Sequence, residues 1–144
     1  MCKEFKQTTL IAAFPGTGKS FYCLNQNSEL IVDIDSSTFN KKHFPKNYIE
    51  DIKEKILLNY EKVFISSHKE VRDELVKNKL NFILVYPNIN LKQEYLERYF
   101  NRKSSESFIK LISDNWESWI EDLQNQQNCL HVELQAGQFI KDII

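Results

Sequence analysis

Residues 13–20 read Ala-Phe-Pro-Gly-Thr-Gly-Lys-Ser, and they take two of the three glycines in a 144-residue chain. The spacing is that of G-x-x-x-x-G-K-[ST], with Ala13 standing where the pattern has its first glycine. Such a stretch suits anion binding. Gly16 and Gly18 free the backbone to turn several N–H groups inward, and a helix opening behind them adds its positive end. Pro15 and Thr17 complete the turn, Lys19 can reach β- and γ-phosphates as a mobile point charge, and the Ser20 hydroxyl can ligate Mg²⁺. Ala13 is tolerable if its φ is negative, since only positive φ strongly demands glycine. The plainer alternative is a glycine turn with a surface lysine.

A second group of polar residues follows at suggestive places. Asp33 and Asp35 lie in Ile31-Val-Asp-Ile-Asp-Ser-Ser, with Asp33 14 residues after Lys19. Strand alternation would put both carboxylates on one face; the alternative is a strand end with capping carboxylates. Only three of the 19 basic residues are arginine, Arg72, Arg98 and Arg102. In a chain so biased to lysine, arginine is expected where planar bidentate contact to phosphate or carboxylate matters. Arg98 and Arg102 share a helix face, although Glu94, four positions before Arg98, also allows an ordinary solvated ion pair. Val63-Phe-Ile-Ser-Ser-His68 carries no acid at its end. His68 reads as a helix-start or acceptor-site polar group, with no second histidine nearby to make a metal pair.

These residues need elements to hold them. Thr8–Ala13 reads as a buried strand, broken by Phe14-Pro15-Gly16, and residues 20–25 as a short helix leaving the glycine loop. Strands are expected at 30–33, 63–66, 82–86 and 129–134, and helices at 46–60, 69–78, 91–101, 105–126 and 138–144, with a polar, turn-rich stretch over 36–47. In the longest helix Phe108, Leu111, Ile112, Trp119, Ile120 and Leu123 make a stripe of period 3.6, and Ser104 to Ser107 offer N-caps. Trp116 and Trp119 read as core or core-rim residues, with base stacking the less favoured alternative. Short apolar strands alternating with helices predict an α/β fold with a five-stranded parallel sheet, helices on both faces, and a ligand at the carboxyl ends of the strands.

Composition limits the partners. A net charge of −1 gives no broad basic field, which argues against duplex nucleic acid. Cys2, Cys23 and Cys129 form no C-x-x-C pair, so neither a disulfide framework nor a zinc site is suggested, and a reduced, cytoplasmic setting is expected. The apolar run from Leu10 to Phe14 is far too short for a signal sequence or membrane span. No linker, repeat or low-complexity tract divides the chain, so a single domain over 1–144 is expected.

With these residues in place, the chain resembles the P-loop NTPase superfamily, and within it the small kinases of nucleotides, shikimate and gluconate. Pro15-Gly16-Thr17-Gly18-Lys19-Ser20 is similar to the loop of adenylate kinase-like proteins, and the whole chain resembles short kinase-like proteins encoded by bacteriophages. The resemblance implies a three-layer α/β/α P-loop NTPase fold with ATP as donor and Mg²⁺ as cofactor. By it, Asp33 would help hold Mg²⁺ or its waters, and Asp35 would bind the acceptor hydroxyl and act as its base. Arg98 and Arg102, in a short lid over 98–107, would close on the transferring phosphoryl group. Arg72 and His68 would contact the acceptor beneath a covering segment at 36–60, and Gln138 would lie by the adenine. The expected activity is γ-phosphoryl transfer from ATP to a nucleotide, nucleoside or similar small acceptor. Two alternatives stay open. Ala13 and the missing acid after the third strand fit an ATP-binding regulatory or inhibitory module without transfer; a polynucleotide end kinase is disfavoured by the neutral charge.

Overall fold

A computed structural model of the chain describes residues 7–26 and 28–144, so Cys2 lies outside the described residues. Its order is β1 (Thr9–Ala13), α1 (Lys19–Leu24), β2 (Ile31–Asp33), α2 (Lys46–Leu57), β3 (Lys62–Ser66), α3 (Lys69–Lys77), β4 (Ile83–Pro87), α4 (Lys92–Asn101), α5 (Glu106–Gln124) and β5 (Leu130–Leu134), with short 3-10 turns at Ser36–Thr38, Ile89–Leu91 and Ile140–Asp142. The fold is α/β, and all five strands pair in parallel in the order β2-β3-β1-β4-β5. β1 is central: the chain leaves it towards β2 on one side, whereas it leaves β4 towards β5 on the other. Such a reversal opens a crevice at the carboxyl ends of the two strands, where ligands of open parallel sheets bind.

Alternation along the strands sorts the core into two faces. Leu10, Ala12, Val63, Ile65, Leu84 and Tyr86 pack beneath α2, α3, α4 and α5. Ile11, Ala13, Phe64, Val85 and Leu134 meet Tyr22 of α1 and Ile140 of the terminal turn. The architecture is consistent with three layers, but the two outer layers are unequal. Among the described residues the second face has only a six-residue helix and one 3-10 turn over it, and Phe21, Leu24 and Leu130 remain exposed there.

Two expectations are corrected. The tail 138–144 is not a helix: Asp142 accepts a hydrogen bond from the Phe139 N–H at 2.8 Å and closes a single tight turn. In α5 the buried stripe runs through Ile112, Trp116, Ile120 and Leu123, while Leu111 and Trp119 are 51% and 37% exposed. Trp116 anchors that phase, edge-on to Phe14 and donating from Nε1 to the Ile89 carbonyl at 2.7 Å. Ser105 caps the helix by accepting from the Phe108 N–H.

Segment 36–60 is fastened to the carboxyl edge by Tyr48 of α2. Its hydroxyl donates to the Ile34 carbonyl at 2.7 Å and accepts from the Ser66 N–H at 2.9 Å, tying the ends of β2 and β3 together. Phe39 and Phe44 pack against its ring. No helix among the described residues is long and apolar enough to cross a membrane.

Candidate phosphate-binding site

Ala13 is the last residue of β1, paired on one side with Ser66 and on the other with Val85. It has ordinary strand backbone, so its position never required glycine. Gly16 and Gly18 do: their φ values are +87° and +95°, and Thr17 between them is not in the left-handed region. That alternation of hand is the geometry of an anion nest. Thr17 is fully buried and its hydroxyl donates to the Phe14 carbonyl at 2.8 Å, closing the turn from inside.

Three consecutive carbonyls of the loop are taken by partners from other elements. The Pro15 carbonyl accepts from the Tyr99 hydroxyl at 2.6 Å, that of Gly16 from Arg98 Nη1 at 2.8 Å, and that of Thr17 from the Ile140 N–H at 2.9 Å. Across a planar trans peptide the N–H points opposite to the C=O. The N–H groups of Gly16, Thr17 and Gly18 are therefore turned away from these partners. Among the described residues none of the five N–H groups from Gly16 to Ser20 has a protein acceptor. Five free donors in sequence at the start of a helix form a concentrated positive end.

Beside them, Ser20 Oγ donates to Asp33 Oδ2 at 3.3 Å and Lys19 Nζ stands 4.0 Å from Asp33 Oδ1. Asp33 Oδ1 is buried with no hydrogen-bond partner. β2 ends at Asp33, so Asp35 does not continue the strand alternation. Asp35 is instead exposed and caps the 36–38 turn, its Oδ1 accepting from the Ser37 N–H at 2.9 Å and Ser37 Oγ at 2.8 Å. Those bonds hold its carboxyl below the usual aspartate value. Cys23 lies on α1 nearby; burial, then the Asp33 charge, push its thiol up to about 11 against the opposing pull of Lys19. His68 caps α3, keeping contact with solvent, and partial desolvation followed by the Lys19 charge lowers its pKa.

The arginines are not arranged as expected. Arg72 is 4% exposed and spends its guanidinium on protein: Nε donates to the Ser67 carbonyl, Nη1 to Gln126 and Nη2 to Asp122. These contacts tie α3 to α5 and to the end of β3, a structural engagement that the sequence did not indicate. Arg98 is committed as well. Its guanidinium lies between the rings of Tyr95 and Phe139, 4.3 and 3.9 Å from their centroids, and bonds Gly16, Glu94 and the Gln138 carbonyl. The Glu94 pair exists, but it is largely withdrawn from solvent. Segment 98–107 comprises the end of α4 (98–101), a turn and the start of α5 (106–107). Only Arg102 is exposed, its Nε donating to Ser104 Oγ at 3.1 Å. Gln138 turns its side chain onto its own loop, accepting from the Gln135 N–H.

Residues that local spacing did not single out complete the arrangement. Glu94 accepts from the Gly137 N–H at 3.1 Å, and Phe139 packs against Gly18, where an added Cβ would stand 3.0 Å from the ring. Tyr99 crowds Gly16 in the same way, at 2.8 Å. Glu94 alone carried a sequence signal, its i,i+4 relation to Arg98. Two shallow pockets of about 260 and 280 Å³ lie at the opposite, amino edge of the sheet, sharing Lys79, Leu80 and Asn81, and have no part in the loop. The loop site is built on backbone N–H groups. No protein-family model matches the chain, and no curated protein matches its sequence.

Proposed function

We propose that this protein has a P-loop NTPase fold, binds ATP with Mg²⁺ at residues 15–20, and transfers the γ-phosphoryl group to a small acceptor. The observation that carries the reading is the row of five N–H groups, Gly16 to Ser20, that lack protein acceptors and stand beside Lys19. These donors would hold β- and γ-phosphate oxygens, and Lys19 would balance their charge.

The residues present also fit a divalent cation. Asp33 Oδ1 is a buried carboxylate oxygen with no hydrogen bond, 4.0 Å from Lys19 Nζ, and Oδ2 of the same carboxylate accepts from the Ser20 hydroxyl. A buried carboxylate oxygen without a hydrogen bond is only partly compensated by an ammonium 4.0 Å away, and a directly bound cation would offset more of the cost. Among the described residues no cluster of three or more His, Cys, Asp or Glu could hold a metal alone, so phosphate oxygens and water would supply the remaining ligands. The cation, when bound, would neutralise charge between the β- and γ-phosphates.

Asp35 Oδ2 has no hydrogen bond among the described residues, so it is the oxygen that would receive an acceptor hydroxyl. Its depressed pKa suits orienting that hydroxyl better than strong base catalysis. Arg102 is the exposed arginine that would approach the transferring group, and His68, within the field of Lys19, would contact the acceptor. A screen with γ-labelled ATP against nucleosides, nucleoside monophosphates and polyol acids tests the proposal. Labelled product from one class is expected; ATP binding with no labelled acceptor would remove the transfer step.

A second reading is favoured by one specific observation, the commitment of both Arg72 and Arg98 to protein partners. Under it the chain binds ATP as a regulatory module without transfer. Asp35→Asn would then leave biological activity intact while Lys19→Ala abolishes it, whereas the kinase reading expects both to fail.

A further inference from the structure

We propose that Arg98 is a positioning residue that holds the phosphate loop in its anion-receiving conformation from behind, an inference that rests on the phosphate-binding reading of residues 15–20. The peptide that needs holding joins Gly16 to Thr17. Glycine's permissive backbone leaves the tilt of its own carbonyl loosely set, and only the negative φ of Thr17 opposes a full flip. Tilted, it would swing the Gly16 carbonyl towards the bound anion and turn the Thr17 donor away from it. Arg98 Nη1 takes that carbonyl at 2.8 Å and so favours the orientation with the N–H facing the nest.

The guanidinium is itself fixed on every side. Its Cζ lies over the rings of Tyr95 and Phe139, 4.3 and 3.9 Å from their centroids, while Nη2 reaches Glu94 at 2.9 Å and the Gln138 carbonyl at 3.0 Å. Glu94 also accepts from the Gly137 N–H, so α4 and the segment after β5 are joined to each other as well as to the loop. Tyr99 and Ile140 hold the neighbouring carbonyls from the same two elements. Together they make an external frame in which three consecutive peptides are set before any ligand arrives. Preorganisation of this kind saves ordering cost on binding. Lysine cannot replace Arg98, because an ammonium offers neither the planar fork nor the two stacking faces.

Binding of Mg·ATP and of inorganic tripolyphosphate is measured by calorimetry for wild type, Arg98→Met, Arg98→Lys and Tyr99→Phe, well below each melting temperature. Amide spectra of the ligand-free proteins accompany it. The expected result is a loss of about tenfold in affinity for both ligands in Arg98→Met, no rescue by Arg98→Lys, and a loss of about threefold in Tyr99→Phe. The Thr17 amide resonance should shift or broaden without ligand, and kcat at saturating ATP should change little where transfer is measurable. If Arg98→Met does not fold, Tyr99→Phe carries the test with the same two readouts. Wild-type affinity in the folded variants, or an intact affinity with kcat collapsed, would overturn the inference and leave the loop's binding role standing. Wild-type protein that binds neither ligand would end the underlying reading itself.

Discussion

Arg72 and Asp122, fifty positions apart, form an ion pair at 2.5 Å that ties α3 to α5. The arginine is almost fully enclosed and the aspartate is partly solvated, so the two halves of the pair are not equivalent. Removing Asp122 strands a buried cation on its remaining partners, Ser67 and Gln126. Removing Arg72 leaves a carboxylate that water can reach.

Arg72→Met is expected to lower unfolding free energy by about 2 kcal/mol, discounted for the exposure of Asp122. Affinity for ATP should be unchanged in the folded variant. Urea unfolding alongside calorimetric binding measures both. A variant of wild-type stability with impaired acceptor use would return Arg72 to the site.

The glycines separate two costs. Gly137 has φ +74° with open space around its Cα, so Gly137→Ala should cost about 1 kcal/mol from backbone strain alone. At Gly16 a methyl group would also meet Tyr99 Cε1 at 2.8 Å, and Gly16→Ala should be destabilised by clearly more. Denaturant midpoints of the two variants check the order; equal losses would mean that Tyr99 yields freely.

What was legible in the sequence depended on locality. The loop could be read because its glycines, Lys19 and Ser20 are contiguous, and the strands because each is a short apolar run between turn signals. The arginines could not be placed. For two of them a partner that fixes the side chain is remote: Gly16 lies 82 positions from Arg98, and Asp122 lies 50 from Arg72. No spacing rule reaches so far. Helix phase failed for a related reason, since α5 allows stripes through Trp116 or Trp119, and only the packing of Phe14 and Tyr95 against Trp116 chooses between them. In place of the terminal helix expected over 138–144, the Asp142 cap and the bond from Ile140 to Thr17 fix a tighter turn.

Asp35 makes the pH dependence specific. Its folded pKa is depressed by the two bonds from Ser37, so the stability it contributes is present above its unfolded value of 3.8 and is lost as pH falls through the folded value. The group is ionised throughout the neutral range. A transfer rate limited by its protonation should therefore be flat from about pH 5 to 8. An acid limb near pH 6 that disappears in Asp35→Asn would contradict this assignment.

Cys23 offers a reading of the site's charge that needs no substrate. Its thiol is raised from 9.0 to about 11 by burial first and by Asp33 second, with Lys19 acting in the opposite direction. The thiolate is the species that alkylates, so a rise of two units leaves about a hundredfold less of it at pH 8. In a background with Cys2→Ser and Cys129→Ser, iodoacetamide should modify folded Cys23 about a hundredfold more slowly than the denatured chain. Adding Asp33→Asn removes a negative neighbour and should speed the reaction, whereas adding Lys19→Met should slow it further. The opposite signs matter, because loosening of α1 would accelerate both variants alike. Rates that rise together would place Cys23 outside the field of Asp33 and Lys19, and would weaken the case that these two charges act on one small volume beside the loop.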